Sequence, residues 1–308
     1  MDVASLKETT DLPWRVSNDL ASWFLVASSE QLPEGLVRPA AVAGREIVLF
    51  RSKGRVHALD PYCAHMGAKL CHGGVTNGLL TCPLHGWQYR GDGTVAGGAQ
   101  RVRSWPVVER MGGILVFNGD RPLFEPPAEQ PEYYWSAASG EILDSPWFAL
   151  TANAFDTHHY EAVHRRRLKE PATVAEPDRW TFSCSYVSEV TGNEVSDKIM
   201  RRLAPEGIKV TMTCYGGVLF TVKSILGERR ASLMVGMEPQ EDRTRLRLQV
   251  GSRGKGLQAV IARYLYTSFL KSDLKPMSGI RLQPYTGLAV DAVIERFARY
   301  LERLPVSS

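Results

Sequence analysis

No run of about 18 apolar residues occurs in this chain, so no transmembrane helix is expected. Met1–Ser5 leads into polar sequence without the basic and apolar regions of a signal peptide, which points to the cytoplasm. The net charge is only +4 over 308 residues, too mild and too dispersed for a nucleic-acid binder. No G-x-G-x-x-G follows a strand-like run, so no site for NAD(P)H or flavin is expected. Low-complexity tracts and internal repeats are also missing. Cysteine is scarce and odd in number, with five residues. What remains is ordinary globular sequence, 44% hydrophobic and long enough for about two domains.

Two of the cysteines stand in a pattern. Cys63-Ala64-His65 is followed after sixteen residues by Cys82-Pro83-Leu84-His85. Each short loop offers one thiolate and one imidazole. A tetrahedral zinc can use that set. So can a Rieske [2Fe–2S] cluster, in which two Cys hold one iron and two His the other. The count of donors does not choose between them. The flanking residues do: Pro61-Tyr62-Cys63-Ala64-His65-Met66-Gly67 and Cys82-Pro83-Leu84-His85-Gly86-Trp87-Gln88-Tyr89 resemble the two cluster loops of Rieske proteins. The resemblance implies ligands at Cys63, His65, Cys82 and His85. Cys71 and His72 lie between the loops and read as a loop thiol and a solvated histidine. Cys184 and Cys214 sit in strand-like runs, where a free Cys behaves as a small hydrophobe.

The first 120 residues read as short strands with Gly-rich turns. Trp23–Ala27 is one. Ile47–Phe50 and Val56–Leu59 flank a turn containing Gly54, and Val107–Glu109 and Ile114–Phe117 flank Met111-Gly112-Gly113. A proline-rich stretch, Arg121 to Pro131, reads as an extended connector, dividing the chain into residues 1–125 and 126–308. Strand-like runs follow at Trp147–Thr151, Trp180–Val190, Ile208–Cys214, Val218–Ile225, Ser232–Met237 and Thr244–Val250. Leu288, Val293, Ile294, Phe297, Leu301 and Leu304 form an apolar stripe of helical period at the end.

The other informative stretch runs from Asn153 through Asp156, His158 and His159 to His164. Two histidines and a carboxylate suit a facial triad for non-haem Fe(II). Histidines at a helix end also commonly cap carbonyls or sit in solvent. Coming after the cluster loops, Asp156-x2-His159-x4-His164, with Asn153 three residues earlier, resembles the mononuclear-iron motif of Rieske oxygenases. That resemblance carries iron binding to His159 and His164, and a bridging role between cluster and iron to Asp156. His158 points about 100° away from His159 on a helix and is left to solvent. Residues five apart differ by roughly 140°, so either a π-type bulge separates His159 from His164 or the helix ends before His164. Arg165, Arg166, Arg167 and Lys169 read as a solvated helix end, with docking of an acidic ferredoxin as the alternative.

The third ligand must come from later in the chain. By its placement a short segment ahead of the final helix, as in the family, Asp273 is the choice. Ser272 stands where an acidic neighbour is common. Asp291 falls at the start of the last helical stretch, where an Asp has a structural reason to be.

The two motifs together imply an α+β chain: an antiparallel β domain carrying the cluster, then a helix-grip domain in which a curved antiparallel sheet wraps helices. They imply a Rieske-type oxygenase, more similar to monooxygenases and demethylases than to ring dihydroxylases. Its cofactors would be a [2Fe–2S] cluster and Fe(II), its substrates O₂ and a small organic molecule. A separate NAD(P)H-dependent reductase, a ferredoxin and a homotrimeric ring are the implied partners. An electron carrier or ligand-binding module without oxygenation is the rival reading; it accounts for the first motif and not the second.

Overall fold

The computed structural model of the chain describes residues 14–138 and 140–307. The polar start at Met1–Ser5 lies outside the described residues.

The N-terminal strands are β1 (Trp23–Ser28), β2 (Val37–Val42), β3 (Arg45–Ser52), β4 (Arg55–Leu59), β5 (Gly74–Thr76), β6 (Leu79–Thr81), β7 (Gln88–Tyr89), β8 (Val107–Arg110) and β9 (Gly113–Phe117). They form three antiparallel three-stranded sheets, ordered β1-β9-β8, β2-β3-β4 and β5-β6-β7. Both expected hairpins are present. Their turns carry paired positive φ values, at Lys53 and Gly54 (54° and 73°) and at Met111 and Gly112 (50° and 71°), matching the right-handed twist of the strands they join. Val48, Phe50, Leu70, Leu80 and Tyr89 enclose Cys63 and Cys82 in a small core of their own.

The proline-rich stretch is irregular but not a free tether. Trp23 Nε1 donates to the Phe124 carbonyl at 2.9 Å, and the Phe124 ring stacks on Trp180 at 5.1 Å.

Beyond it come β10 (Tyr134–Ala138), β11 (Ile142–Leu143), α1 (Trp147–Phe155), α2 (Tyr160–His164), β12 (Arg166–Leu168), β13 (Thr173–Asp178), β14 (Thr181–Val190), α3 (Val195–Leu203), β15 (Ile208–Tyr215), β16 (Leu219–Leu226), β17 (Arg229–Gln240), β18 (Arg243–Ser252), α4 (Leu257–Met277) and α5 (Ala292–Glu302). The strands make one nine-stranded antiparallel sheet along β10-β18-β17-β16-β15-β14-β12, with β11 beside β18 and β13 beside β14. Strand alternation sorts the side chains. Phe182 and Cys184 of β14, Met212 and Cys214 of β15, and Leu233 and Val235 of β17 all join one core with Phe155 of α1 and Phe297 of α5. Burial pushes the thiols of Cys184 and Cys214 up to about 11 and about 12, so both act as inert hydrophobes.

Four expectations need correction. Trp147–Thr151 is not a strand but the start of α1, which Pro146 precedes. Seven of its nine residues are buried, so the helix has no polar face and its apolar run carries no helical period to read. The run from Ile261 to Leu270 belongs to a 21-residue helix, α4, that continues through Asp273; the aspartate precedes the last helix as expected, but on a helix of its own and not in a short connecting segment. Leu288 is 60% exposed and extended, and α5 starts only at Ala292. The basic run after His164 is not a solvated helix end. Arg166 is buried against Asp197 at 2.9 Å, Arg165 pairs with Glu194, and Arg167 pairs with Glu161. Among the described residues no helix is long and apolar enough to cross a membrane.

The two halves meet where β1 lies against β17. A Cβ on Gly236 would stand 2.5 Å from the Leu25 Cβ, so only glycine allows this approach. Overpacking of this kind costs about 1–3 kcal/mol. Gly236→Ala is expected to lower the melting temperature of the whole chain; an unchanged melting curve would mean that the seam yields freely.

Candidate metal centres

The two N-terminal loops are built alike. Cys63 N–H donates to the Ala68 carbonyl (2.9 Å) and Gly67 N–H returns to the Cys63 carbonyl (2.9 Å). Cys82 N–H donates to the Trp87 carbonyl (2.8 Å) and Gly86 N–H to the Cys82 carbonyl (3.2 Å). Gly67 and Gly86 take left-handed φ values of 72° and 71°, which a side chain at either place would strain. Each loop thereby buries its cysteine and exposes its histidine. The rings of His65 and His85 stand 4.7 Å apart, with Trp87 stacked on His65 at 4.6 Å. Tyr89, fully buried, hydrogen-bonds the Cys63 sulfur at 3.0 Å and accepts the Ala64 N–H at 3.0 Å. Burial opposes the Cys63 thiolate, but the Tyr89 hydroxyl and nearby backbone N–H groups outweigh it and bring the thiol below its ordinary value. An inner pair of sulfurs and an outer pair of imidazoles suit two irons, each with its own ligand type. Tyr89 was legible only as part of the motif; its contact to sulfur needs β7 folded back beside the first loop.

The second constellation forms where α1, α2 and α4 meet. Among the described residues, His159, His164 and Asp273 are the group of three donors drawn close enough to hold one ion. Nε2 of His159 lies 3.0 Å from Nε2 of His164. Asp273 Oδ1 is 3.2 Å from His164 Nε2 and 3.6 Å from His159 Nε2. Donors at neighbouring corners of an octahedral site, with bonds of roughly 2.1 Å, stand about 3 Å apart. Two imidazoles and a carboxylate gathered this tightly are held together by a shared proton or by a shared metal ion, and their spacing fits a divalent metal.

The expected break in the helix falls at the other end. His159 stands at the N-cap of α2, outside the helix, and His164 is its last residue. There is neither a π-type bulge nor an end before His164. With α2 only five residues long, the imidazole of His159 reaches over the first turn from outside it. Arg165 closes the helix with a left-handed φ of 54°. The Arg166 guanidinium then caps the His164 carbonyl at 2.9 Å.

The surroundings set the protonation of each donor. His159 is driven two ways: burial disfavours its charge, yet Asp156 and Asp273 outweigh that and push it up to about 9. Burial prevails at His164 and lowers it. Asp273 is buried too, but the two imidazoles hold its carboxyl down to about 2. Asp156 is also lowered, by His159 and the backbone N–H groups of His158 and His159 against the effect of its burial. Its Oδ2 lies 3.4 Å from His159 Nδ1, and its Oδ1 accepts the His158 N–H at 2.8 Å. The buried Nδ1 of His159 has no aligned hydrogen-bond partner among the described residues, so Asp156 faces it without closing on it. His158 is exposed, as expected.

Asp291 stays away from this site; it sits at the N-cap of α5 and accepts from Thr286 at 2.5 Å. Ser272 is the residue that sequence reasoning passed over. Its Oγ donates to the Phe269 carbonyl (2.5 Å), leaving its lone pairs for the Nδ1–H of His164 at 2.8 Å. That contact fixes the tautomer of His164 with the Nε2 lone pair turned inward. Phe269 stacks on the same imidazole at 3.7 Å. The signal was present as a departure, a serine where an acid is common, but its partner was visible only once α4 was known to carry both Ser272 and Asp273.

The donors open on an apolar cavity of about 150 Å³ between α4 and strands β14 to β18. Leu143, Met212, Val222, Leu233 and Leu265 are among its walls, and Asn153 lines it beside His159.

Known proteins resemble this chain in sequence and in fold. The Rieske [2Fe–2S] domain family matches residues 22–108. A cholesterol 7-desaturase of Hemicentrotus pulcherrimus is 28% identical over 184 residues, covering 53% of this chain and 39% of that protein. A probable 3-ketosteroid-9-alpha-monooxygenase oxygenase component of Rhodococcus rhodochrous is 30% identical over 162 residues, covering 46% of this chain and 40% of that protein. The matches span between 30% and 51% of the length of the first three curated relatives. Among solved structures, Pseudomonas putida CBB5 NdmA with caffeine superposes with a TM-score of 0.73 at 17% identity, covering 91% of this chain and 89% of that one. Dicamba monooxygenase bound to 3,6-dichlorosalicylic acid gives 0.69 at 19% identity, covering 94% and 98%. At such identities the structural likeness is one of fold, and it extends through both halves.

Removing a hydrogen-bond partner of a metal-bound histidine commonly weakens metal affinity by about 10–100-fold. Ser272→Ala is expected to weaken binding of Fe(II) or Co(II) at the second site by that order, with Ser272→Thr retaining it, as measured by metal titration. Equal affinity in Ser272→Ala would show that His164 is oriented by other contacts.

Proposed function

We propose, from the premise that this chain is a homologue of the Rieske non-haem iron oxygenases, that it is an oxygenase component hydroxylating a small, neutral, largely apolar organic substrate with O₂. The observation that carries the reading is the convergence of His159, His164 and Asp273 on an apolar cavity in a chain that also has a Rieske domain. Cys63, His65, Cys82 and His85 are the proposed cluster ligands, within a unit ending near residue 125. His159, His164 and Asp273 are the proposed iron ligands of the unit that follows. When bound, the cluster supplies single electrons and the ferrous ion supplies reductive activation of O₂.

The chain's own residues do the rest. Tyr89 donates toward the Cys63 sulfur and offsets thiolate charge. Ser272 holds the proton on Nδ1 of His164. Asp156 is positioned to take the Nδ1–H of His159. The apolar walls keep water from the reacting carbon. If that carbon is attached to oxygen or nitrogen, the hydroxylated product collapses and the net outcome is demethylation.

Electron supply lies outside the chain in this reading, in an NAD(P)H-dependent reductase with or without a ferredoxin. A second copy is also proposed, in a trimeric ring, with Asp156 meeting a cluster histidine of its neighbour. Met66 (67% exposed) and Leu84 (56%) supply the support for this, as apolar residues bare beside the exposed His65 and His85. A simple electron carrier leaves the second donor set and the cavity without a role.

The test is a single turnover of chemically reduced protein with O₂ and a substrate panel. Oxidation of the cluster coupled to a hydroxylated product is expected. Asp273→Ala should lose the product and the extra iron but keep the cluster spectrum. Asp156→Asn should keep both metal sites and slow the transfer between them. Undiminished oxygenation by Asp273→Ala would sink the reading.

A further inference from the structure

The cavity is apolar almost throughout, and its few polar groups are instructive. Arg166 is occupied by Asp197 and by the carbonyls of His164 and Arg165, all within 3.0 Å. Asp273 faces the two histidines. A charged ligand would therefore be buried without a partner, at high cost. One hydroxyl pair stands apart from both. Tyr266 of α4 donates its O–H to Ser224 Oγ of β16 at 3.0 Å. Ser224 is buried, 8% exposed, and its own hydroxyl proton meets no acceptor among the described residues. Both residues line the cavity.

The geometry of α4 sets the spacing. Ala262, Tyr266, Phe269 and Asp273 follow one another at intervals of three and four, and all turn toward the cavity. Tyr266 and Asp273 are seven residues apart, two helical turns or about 10 Å along the axis.

We infer that Ser224, held by Tyr266, anchors an acceptor oxygen of the substrate: a neutral, slender, mainly apolar molecule carrying a carbonyl or ether oxygen at a point remote from the carbon to be oxidised. The inference rests on the proposed reading of this cavity as the substrate site. Tyr266 spends its proton on Ser224, so the Ser224 proton is left for the ligand. A carbonyl satisfies it. A hydrocarbon of the same shape leaves it buried and unpaired, which weakens binding. Ser224 and Tyr266 are thus specificity-determining, and the register of the substrate follows from them.

Calorimetric titration of the full metal-loaded chain, without reductant, tests this with 4-acetylbiphenyl and 4-ethylbiphenyl as a matched pair. The ketone is expected to bind roughly 3- to 10-fold more tightly, the worth of one neutral hydrogen bond. Ser224→Ala should erase the preference, Ser224→Thr should keep it, and Tyr266→Phe should reduce it. Equal binding of the two probes, binding of neither, or a preference that survives Ser224→Ala overturns the inference. Because no turnover is needed, the two claims separate. Selective ketone binding without oxygenation retains the anchor and sinks the oxygenase reading, whereas oxygenation without ketone preference does the reverse.

Discussion

Two imidazole nitrogens 3.0 Å apart, with a carboxylate oxygen 3.2 Å from one of them, are held together by a shared proton or by a shared metal ion. Much of the second half of the chain serves to enforce that contact. The buried helix α1 delivers Asp156 and the chain leading to His159. The single turn of α2 carries His164, its end fixed by the left-handed Arg165 and the buried Arg166–Asp197 pair. Helix α4 brings Asp273, with Ser272 and Phe269 gripping the His164 ring. A fold that gathers three such donors has the form that the proposed metal site requires.

The cluster loops solve a different problem by repetition. The same hydrogen-bonded turn occurs twice, each closed by a glycine four residues after its cysteine, and the copies face one another. The thiolates are buried in a small core and the imidazoles stay in solvent. The two halves have separate sheets yet share the seam at Leu25 and Gly236, so the N-terminal half is fastened to the C-terminal one rather than hung from it.

The residue types with the narrowest chemistry were the most legible in the sequence. Cys63, His65, Cys82 and His85 keep their spacing within two short loops, with Gly67 and Gly86 beside them. His159 and His164 were readable for the same reason. Helix α1 was not, because a helix buried on nearly every side has no polar face to betray its period. Helix α4 escaped because its cavity-facing stripe mixes Tyr266, Phe269 and Asp273 with exposed apolar residues such as Leu257 and Val260 on other faces. Asp273 was found by its placement ahead of the last helix, while the helix that carries it went unread. Ser272, Arg166 and Ser224 act through partners distant in sequence, and no local pattern announces such contacts.

In the proposed reading one chain holds a two-iron cluster and a separate iron, each in its own donor set. Quantifying iron, zinc and acid-labile sulfide in the purified chain tests it most directly. Two sulfides with three irons per chain are expected, falling to two irons with the sulfide unchanged when His164 is replaced by alanine. Zinc in place of iron, or no more iron than the cluster accounts for when Fe(II) is supplied in excess, would contradict it.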